Sequence, residues 1–249
     1  MRVRWAAATH PGRRRASNED AFCARPDLGL YIVADGMGGH VAGEIASRLA
    51  VDTIEATIAA GDASAADSRN CTLAERRLQE GFERASQAIS DQTSRQPRLR
   101  GMATTASAIL IPNGTSAIAH VGDSRVYLWR DQLLQQLTHD HSWVAEQVTM
   151  GLLSPAEARQ HPWRNVVTRA LSASDPPQVE LSPLALQHGD RLLISSDGLH
   201  GVISDERIAV VLGTVAASLE RTCQQLIEDA NGAGGPDNIT TLILEIDVP

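Results

Sequence analysis

Acidic residues recur at the ends of the apolar segments of this 249-residue chain. The residues concerned are Glu19, Asp20, Asp35, Asp123, Asp197 and Asp237. A single Asp-Gly pair after a strand is usually only a turn, but several carboxylates at one sheet edge repel one another strongly. We therefore expect a cation to lie between them. Glycine stands beside three of the acids, and it lets the backbone approach a ligand closely.

The kind of ligand indicates which cation to expect. Carboxylate oxygens without histidine or cysteine partners favour Mg²⁺ or Mn²⁺ over zinc, and two divalent ions would offset most of the cluster's charge. Such a pair of ions is a known means of activating water and clamping an in-line displacement at phosphorus. The acids therefore predict a pair of Mn²⁺ or Mg²⁺ ions, an arrangement suited to this kind of chemistry.

Helical periodicity predicts three long helices that would support this edge. Apolar residues recur at spacings of three and four over about 41–59, over 78–89 and over 219–230, as they do along the buried face of a helix. We interpret all three apolar stripes as faces of the core.

Strands of antiparallel type separate these helices. One pair flanks Pro112-Asn113-Gly114, and Asn-Gly between apolar runs is the strongest short-range hairpin signal. A later pair, 179–186 and 191–196, is expected to meet across the turn at 187–190. Connections this short cannot carry the crossover that a parallel sheet needs. The predicted fold class is therefore α+β.

Composition excludes several classes of protein. Hydrophobic residues make up 43% of the chain and charged residues 21%, and the formal net charge of -8 disfavours a nucleic-acid surface. No apolar run reaches the roughly 18 residues of a membrane span. Three cysteines without a C-x-x-C pair fit a reducing cytosol. We expect one domain over 1–249, cytoplasmic and monomeric, with neither a membrane span nor a nucleic-acid partner.

Eight motifs occur in order along nearly the whole chain. They are RASNEDAF (15–22), VADGMGGHVAGE (33–44), GMATTASA (101–108), GDSRVY (122–127), LTHDHS (137–142), NVVTRAL (165–171), SSDGL (195–199) and GGPDNIT (234–240). Together they resemble the bacterial metal-dependent Ser/Thr protein phosphatases of type 2C. The resemblance implies a four-layer α-β-β-α sandwich of two central antiparallel sheets flanked by helices, with the metals at one end.

The resemblance also implies a role for each acid. Asp35 would bridge two tightly bound metal ions, with Asp197 and Asp237 completing the first site. Glu19 and the Gly36 carbonyl would complete the second. Asp20 would hold a metal-bound water without itself contacting the metal. Asp123, with Asp197, would form a weaker third site.

Two further residues take roles from the same motifs. Arg15 stands where the family carries the arginine that receives the substrate phosphate, and its planar fork suits bidentate phosphate contact. His40 matches the proposed general acid that protonates the leaving serine or threonine oxygen. His139 and His141, in the LTHDHS turn, are interpreted as structural residues.

Residues 142–162 correspond to the family's flap beside the active site. A capping box, Ser154 to Glu157, with Pro155 at the first helical position predicts a short helix there. The larger apolar residues are candidates either for substrate docking or for a small core of the flap, and the second is the favoured interpretation for most of them. They are Trp143, Met150, Leu152, Leu153 and Trp163.

Three functions remain open at this stage. The first is a Ser/Thr protein phosphatase acting on a phosphoprotein and opposing a bacterial Ser/Thr kinase. The second is a catalytically inactive relative that binds or senses, which the complete set of acids disfavours. The third is a hydrolase of another phosphate ester.

Overall fold

The computed structural model describes residues 1–38, 41–61, 71–112, 115–174, 176–214 and 218–248. Its strands, in chain order, are β1 (Arg2–His10), β2 (Asp20–Arg25), β3 (Leu30–Met37), β4 (Ala103–Thr104), β5 (Ala106–Leu110), β6 (Ser116–Val121), β7 (Arg125–Arg130), β8 (Leu133–Gln136), β9 (Leu171–Ser172), β10 (Glu180–Leu184), β11 (Arg191–Ser195) and β12 (Ile239–Asp247). Its helices are α1 (Val41–Ala60), α2 (Leu73–Arg95), α3 (Trp143–Thr149), α4 (Pro155–Gln160), α5 (Asp197–His200), α6 (Asp205–Leu212) and α7 (Leu219–Gly232).

Two antiparallel sheets form the centre of the molecule. The first has the strand order β1-β12-β11-β7-β8, and the second has the order β10-β6-β5-β3-β4-β9 with β2 paired to β3. Side chains such as Tyr31, Val33, Val126 and Leu242 pack between the sheets. The inner strands are buried on both faces, which accounts for their nearly continuous apolar sequences.

Helices cover the outer face of each sheet. The helices α1 and α2 pack on the second sheet, where Ile54, Leu78 and Phe82 are fully buried. On the other side, α6 and α7 pack on the first sheet through residues such as Leu212 and Leu226. The four layers are thus helix, sheet, sheet and helix, and the predicted α+β sandwich is confirmed.

The expected pairing of 179–186 with 191–196 is wrong. The first segment supplies β10, which pairs with β6 in the second sheet, whereas β11 lies between β12 and β7 in the first. Pro183 lacks an N–H donor and so suits β10 to its position at a sheet edge. The turn between them bonds to β12 instead, because Gly189 donates to the Ile246 carbonyl and Ile246 to the Asp190 carbonyl.

The flap segment leaves the sheets after β8. Ser142 caps α3, and Ser154 caps α4 with the predicted capping box to Glu157 and Pro155 in the first turn. The Asn113-Gly114 turn lies outside the described residues, although β5 and β6 on either side pair as expected. No helix in the described ranges combines the length and apolar character that crossing a bilayer requires.

Candidate metal centre

The pairing of β2 with β3 places two acids directly opposite each other. Asp20 and Asp35 are cross-strand partners in this ladder, an arrangement that is unfavourable for like charges. The backbone of Asp35 is fixed on its other side, since Thr105 Oγ1 accepts from its N–H at 3.1 Å and Thr104 Oγ1 donates to its carbonyl at 2.8 Å. The strand geometry therefore brings two carboxylates together and holds one of them rigidly.

Asp20 also links the two sheets at this end of the sandwich. Its Oδ2 accepts from Ser196 Oγ at 2.8 Å and from Thr240 Oγ1 at 2.6 Å. Ser196 follows β11 and Thr240 lies in β12, whereas Asp20 begins β2 of the opposite sheet. Asp197, next to Ser196, and Asp237, three residues before Thr240, are thereby brought to the same edge as Asp35.

Glu19 and the Gly36 carbonyl converge beside the first turn of α1. A Cβ atom on Gly43 would overlap Glu19 Oε2 and would lie 2.8 Å from the Gly36 oxygen. The amide of Gly36 in turn donates to the Glu19 carbonyl at 3.1 Å. Only glycine at position 43 leaves room for these two oxygens, so the predicted partners of the second metal do face one another.

Asp123 lies on the tight turn between β6 and β7 and is 8% exposed. The preceding Gly122 has a φ of +113°, and a Cβ there would come within 2.5 Å of the Thr105 side chain. The close approach to Thr105 places Asp123 at the edge that Asp35 occupies. All the acids predicted from the sequence are thus gathered at one end of the sandwich.

The electrostatics of this cluster oppose full ionisation. Burial, reinforced by the charges of Asp20 and Asp197, raises the pKa of Asp35 well above its ordinary value. Burial and the Asp197 charge raise the pKa of Asp123 likewise. Burial also raises the pKa of Asp20 to about 7 and that of Asp197 to about 6. Such mutual repulsion is relieved when a cation lies among the carboxylates.

Two oxygens of the cluster lack hydrogen-bond partners. Asp20 Oδ1 and Asp197 Oδ1 are buried and accept no hydrogen bond, which is costly for a carboxylate. Within the described ranges, no three Asp, Glu, His or Cys side chains form a set that could hold an ion. Mg²⁺ usually keeps several waters, so its shell would not need three side chains. The donors present, carboxylates and the Gly36 carbonyl, are all oxygens, the ligand type that a hard divalent cation prefers.

Arg15 faces the cluster from the loop before β2. Its Nη2 donates to Asp237 Oδ2 at 2.7 Å, and this bond with the nearby acids raises the pKa of Arg15. Asn238 fastens the same loop to β12, because its Oδ1 accepts from the Glu19 amide at 2.7 Å and its Nδ2 donates to the Ser17 carbonyl at 2.8 Å. His40, the predicted general acid, lies outside the described residues.

The family model described as Protein phosphatase 2C matches residues 9–233 of the chain. The chain belongs to the protein phosphatase 2C family. Its motif-based resemblance to that family is therefore confirmed.

Relatives within the protein phosphatase 2C family cover nearly the whole chain. The serine/threonine protein phosphatase PstP of Mycobacterium tuberculosis is 37% identical over 249 residues, which is 98% of this chain and 45% of PstP. This chain thus spans about half the length of that relative. The protein phosphatase PhpP of Streptococcus pneumoniae is 35% identical over 245 residues, 96% of this chain and 95% of PhpP.

A solved structure supports the same fold. The catalytic domain of PstP in complex with two manganese ions has a TM-score of 0.84 and 34% sequence identity, and the match covers 99% of each chain.

Sequence reasoning missed the polar residues that hold the acids of this protein phosphatase 2C member. Ser196, Asn238 and Thr240 bond to Asp20 or to the Glu19 backbone, and Thr105 fixes Asp35. Each lies within one of the eight motifs. Ser196, Asn238 and Thr240 are within three residues of a motif acid, whereas the motif that holds Thr105 contains no acid. For the three near an acid, the signal available in the sequence was a small polar residue close to that acid.

The flap exposes most of the apolar residues proposed for it. Trp163 stacks edge-on against Trp143 with ring centroids 4.8 Å apart. Nevertheless, Met150, Leu152 and Trp163 are 66%, 67% and 55% exposed. The favoured interpretation, a small core within the flap, is therefore wrong for these three residues, because more than half of each remains in contact with solvent.

Proposed function

We propose that this chain is a metal-dependent Ser/Thr protein phosphatase that hydrolyses phosphoserine and phosphothreonine. The observation that carries the proposal is the convergence of six acidic side chains and the Gly36 carbonyl at one end of the sandwich, with two buried carboxylate oxygens lacking partners. Membership of the protein phosphatase 2C family supports the same activity.

The ligands divide between two divalent ions, Mn²⁺ or Mg²⁺. Asp35 would serve both ions, Asp197 and Asp237 would serve the first, and Glu19 with the Gly36 carbonyl would serve the second. When bound, the ions supply an activated nucleophile and stabilise charge on the phosphoryl oxygens. Asp123, with Asp197, provides a weaker third position.

The chain's own residues then bind and orient the substrate. Arg15 is half exposed and carries N–H groups beyond the one that Asp237 accepts, so its guanidinium can receive the phosphate. Asp20 is held by two hydroxyl donors on one oxygen, which leaves Oδ1 to accept a hydrogen bond from water in the centre.

The decisive experiment compares substrates and metals. A phosphothreonine peptide should be hydrolysed with Mn²⁺ present, hydrolysis should stop in EDTA, and excess Mn²⁺ should restore it. Asp35→Asn should be inactive, and Asp52→Asn, an exposed acid of α1, is the matched control. Turnover that persists in EDTA would refute the mechanism. Hydrolysis of small phosphate esters but of no phosphopeptide would favour the other-ester alternative, and metal binding without any turnover would favour the inactive relative.

His40 is proposed as the general acid on the evidence of its motif position alone. His40→Ala should lower kcat by roughly 10²–10⁴ on a phosphoserine peptide, because the alkoxide leaves poorly without a proton. An aryl phosphate, whose phenolate leaves unaided, should lose much less. Equal losses on both substrates would exclude this role.

The substrate is further proposed to be a phosphoprotein modified by a Ser/Thr kinase. The enzyme is proposed to act in the cytoplasm, with residues 1–249 forming one monomeric domain. Three free cysteines, two of them buried, suit a reducing compartment. Comparing the phosphoproteome of cells that express the natural chain or Asp35→Asn would identify the targets. An unchanged phosphoproteome would contradict the proposal.

A further inference from the structure

One residue of the LTHDHS turn holds both polar backbone groups of the glycine before Asp123. The main-chain N–H of His141 donates to the Gly122 carbonyl at 2.7 Å. Its ring Nδ1 accepts from the Gly122 amide at 3.1 Å. Gly122 therefore cannot reorient without breaking a hydrogen bond to His141, and any such change would also displace the adjacent Asp123.

The hydrogen bonds define the state of the His141 ring. A backbone amide can only donate, so Nδ1 carries no proton and the neutral ring bears its hydrogen on Nε2. That atom lies 3.4 Å from Glu180 Oε2. The ring is 6% exposed and packs on His120 with centroids 4.8 Å apart. Its orientation is thus fixed from three sides.

The same turn closes the base of the flap. The His141 carbonyl accepts from the Thr168 amide at 2.8 Å, and Trp143 donates to the Val166 carbonyl at 2.8 Å. Ser142 pairs with Val167 as an isolated bridge. The point at which the flap leaves and rejoins the sheets is therefore one residue away from the clamp on Gly122.

We propose that His141 is a positioning residue for Asp123, which it holds in place through Gly122 and connects to the base of the flap. This goes beyond the structural role that its sequence position indicated. The inference rests on the proposed function, because Asp123 matters only if it serves a metal in a phosphatase. A partner of a ligand typically affects metal affinity or activity by about 10- to 100-fold.

Two substitutions separate the hydrogen bonds of the ring. Asn places an oxygen where Nδ1 accepts, whereas Gln reaches toward Nε2 and leaves the Gly122 amide without its partner. We expect His141→Gln to weaken the weakest Mn²⁺ site about 10-fold or more in calorimetric titration and to lower kcat about 10- to 100-fold. His141→Asn should stay within about 3-fold of the natural chain on both measurements. His139→Gln is the matched control, since His139 bonds to the same Glu180 but its side chain is 86% exposed.

A double-substitution cycle tests whether the effect passes through Asp123. Asp123→Ala combined with His141→Gln should lose no more activity than Asp123→Ala alone, because coupled residues are not additive. Additive losses, or a His141→Gln variant with the natural Mn²⁺ affinity, would overturn the inference. If His141→Gln does not fold, a 10-fold weaker Mn²⁺ site in His141→Asn would overturn it equally. A natural chain without Mn²⁺-dependent turnover would instead refute the proposed function.

Discussion

Removing the Arg15 side chain should move substrate affinity and metal affinity in opposite directions. Arg13, Arg14 and Arg15 carry the same charge, but only Arg15 among these three forms an ion pair with an acid of the cluster, 2.7 Å from Asp237. The side chains of the pair are 50% and 24% exposed. All three residues are exposed, so it is the ion pair with Asp237 that positions Arg15 at the centre.

The magnitudes of the two effects differ. A charge-assisted hydrogen bond to phosphate contributes about 1.5–3 kcal/mol, so Arg15→Ala should raise KM for a phosphopeptide by roughly 10- to 100-fold. The half-exposed pair with Asp237 contributes only about 0.2–1 kcal/mol. Because Arg15 competes with a cation for Asp237, its removal should tighten Mn²⁺ binding by at most about 5-fold.

Steady-state kinetics and calorimetry on the three alanine variants measure both effects. Arg13→Ala and Arg14→Ala should remain near the natural chain, and Arg15→Lys should recover only part of the KM because a point charge cannot form a bidentate contact. The reasoning fails if all three alanine variants raise KM alike and added salt removes the difference. It also fails if Arg15→Ala weakens Mn²⁺ binding, since Arg15 would then be holding Asp237 in place.

Three further outcomes are expected. Asp35→Asn should abolish the thermal stabilisation by Mn²⁺ but raise the melting temperature of the metal-free protein by about 2–4 °C per kcal/mol of repulsion removed; a lower metal-free melting temperature would contradict this. Gly43→Ala should displace Glu19 and weaken one Mn²⁺ site in calorimetry, whereas Gly232→Ala, with nothing within 4 Å of the added methyl, should not; equal Mn²⁺ affinities would refute the assignment. Burial lowers the pKa of His120 from 6.5 to about 4, so the unfolded chain takes up this proton first as the pH falls. The contribution of neutral His120 to the free energy of unfolding is therefore fully present above about pH 6.5 and falls by about 3 kcal/mol toward pH 4. In chemical denaturation, the free energy of unfolding of His120→Asn should depend less on pH than that of the natural chain. An unchanged slope would exclude His120 as its source.

The local elements of this fold could be predicted from the sequence. The long helices α1 and α7 begin and end within a few residues of expectation, because a periodic apolar face can be recognised from neighbouring residues alone. The helix α2 is present as expected but extends well beyond 78–89 at both ends. The strands around 104–121 also pair as expected. The pairing of β10 with β11 was wrong because a strand's partner in a sandwich depends on which sheet it joins. Pro183 marks β10 as suited to a sheet edge, but neither segment's sequence indicates which of the two sheets it joins.

The acids and the family were likewise accessible from the sequence. The motifs identified the protein phosphatase 2C family, which the comparison with known families confirmed. The roles of Glu19, Asp20, Asp35, Asp123, Asp197 and Asp237 remain predictions, as does the role of Gly36. The folded chain places them together, which is the condition that those predictions required.

Only the tertiary structure decided how the acids are held. Thr240 donates to Asp20 across 220 positions of the chain, and Ser196 does so across 176. Arg15 meets Asp237 across 222 positions, and His141 clamps Gly122 from the far side of a hairpin. Sequence patterns report which residue types an element presents at each position. They do not report which side chains from different elements meet, because that depends on how the two sheets pack face to face.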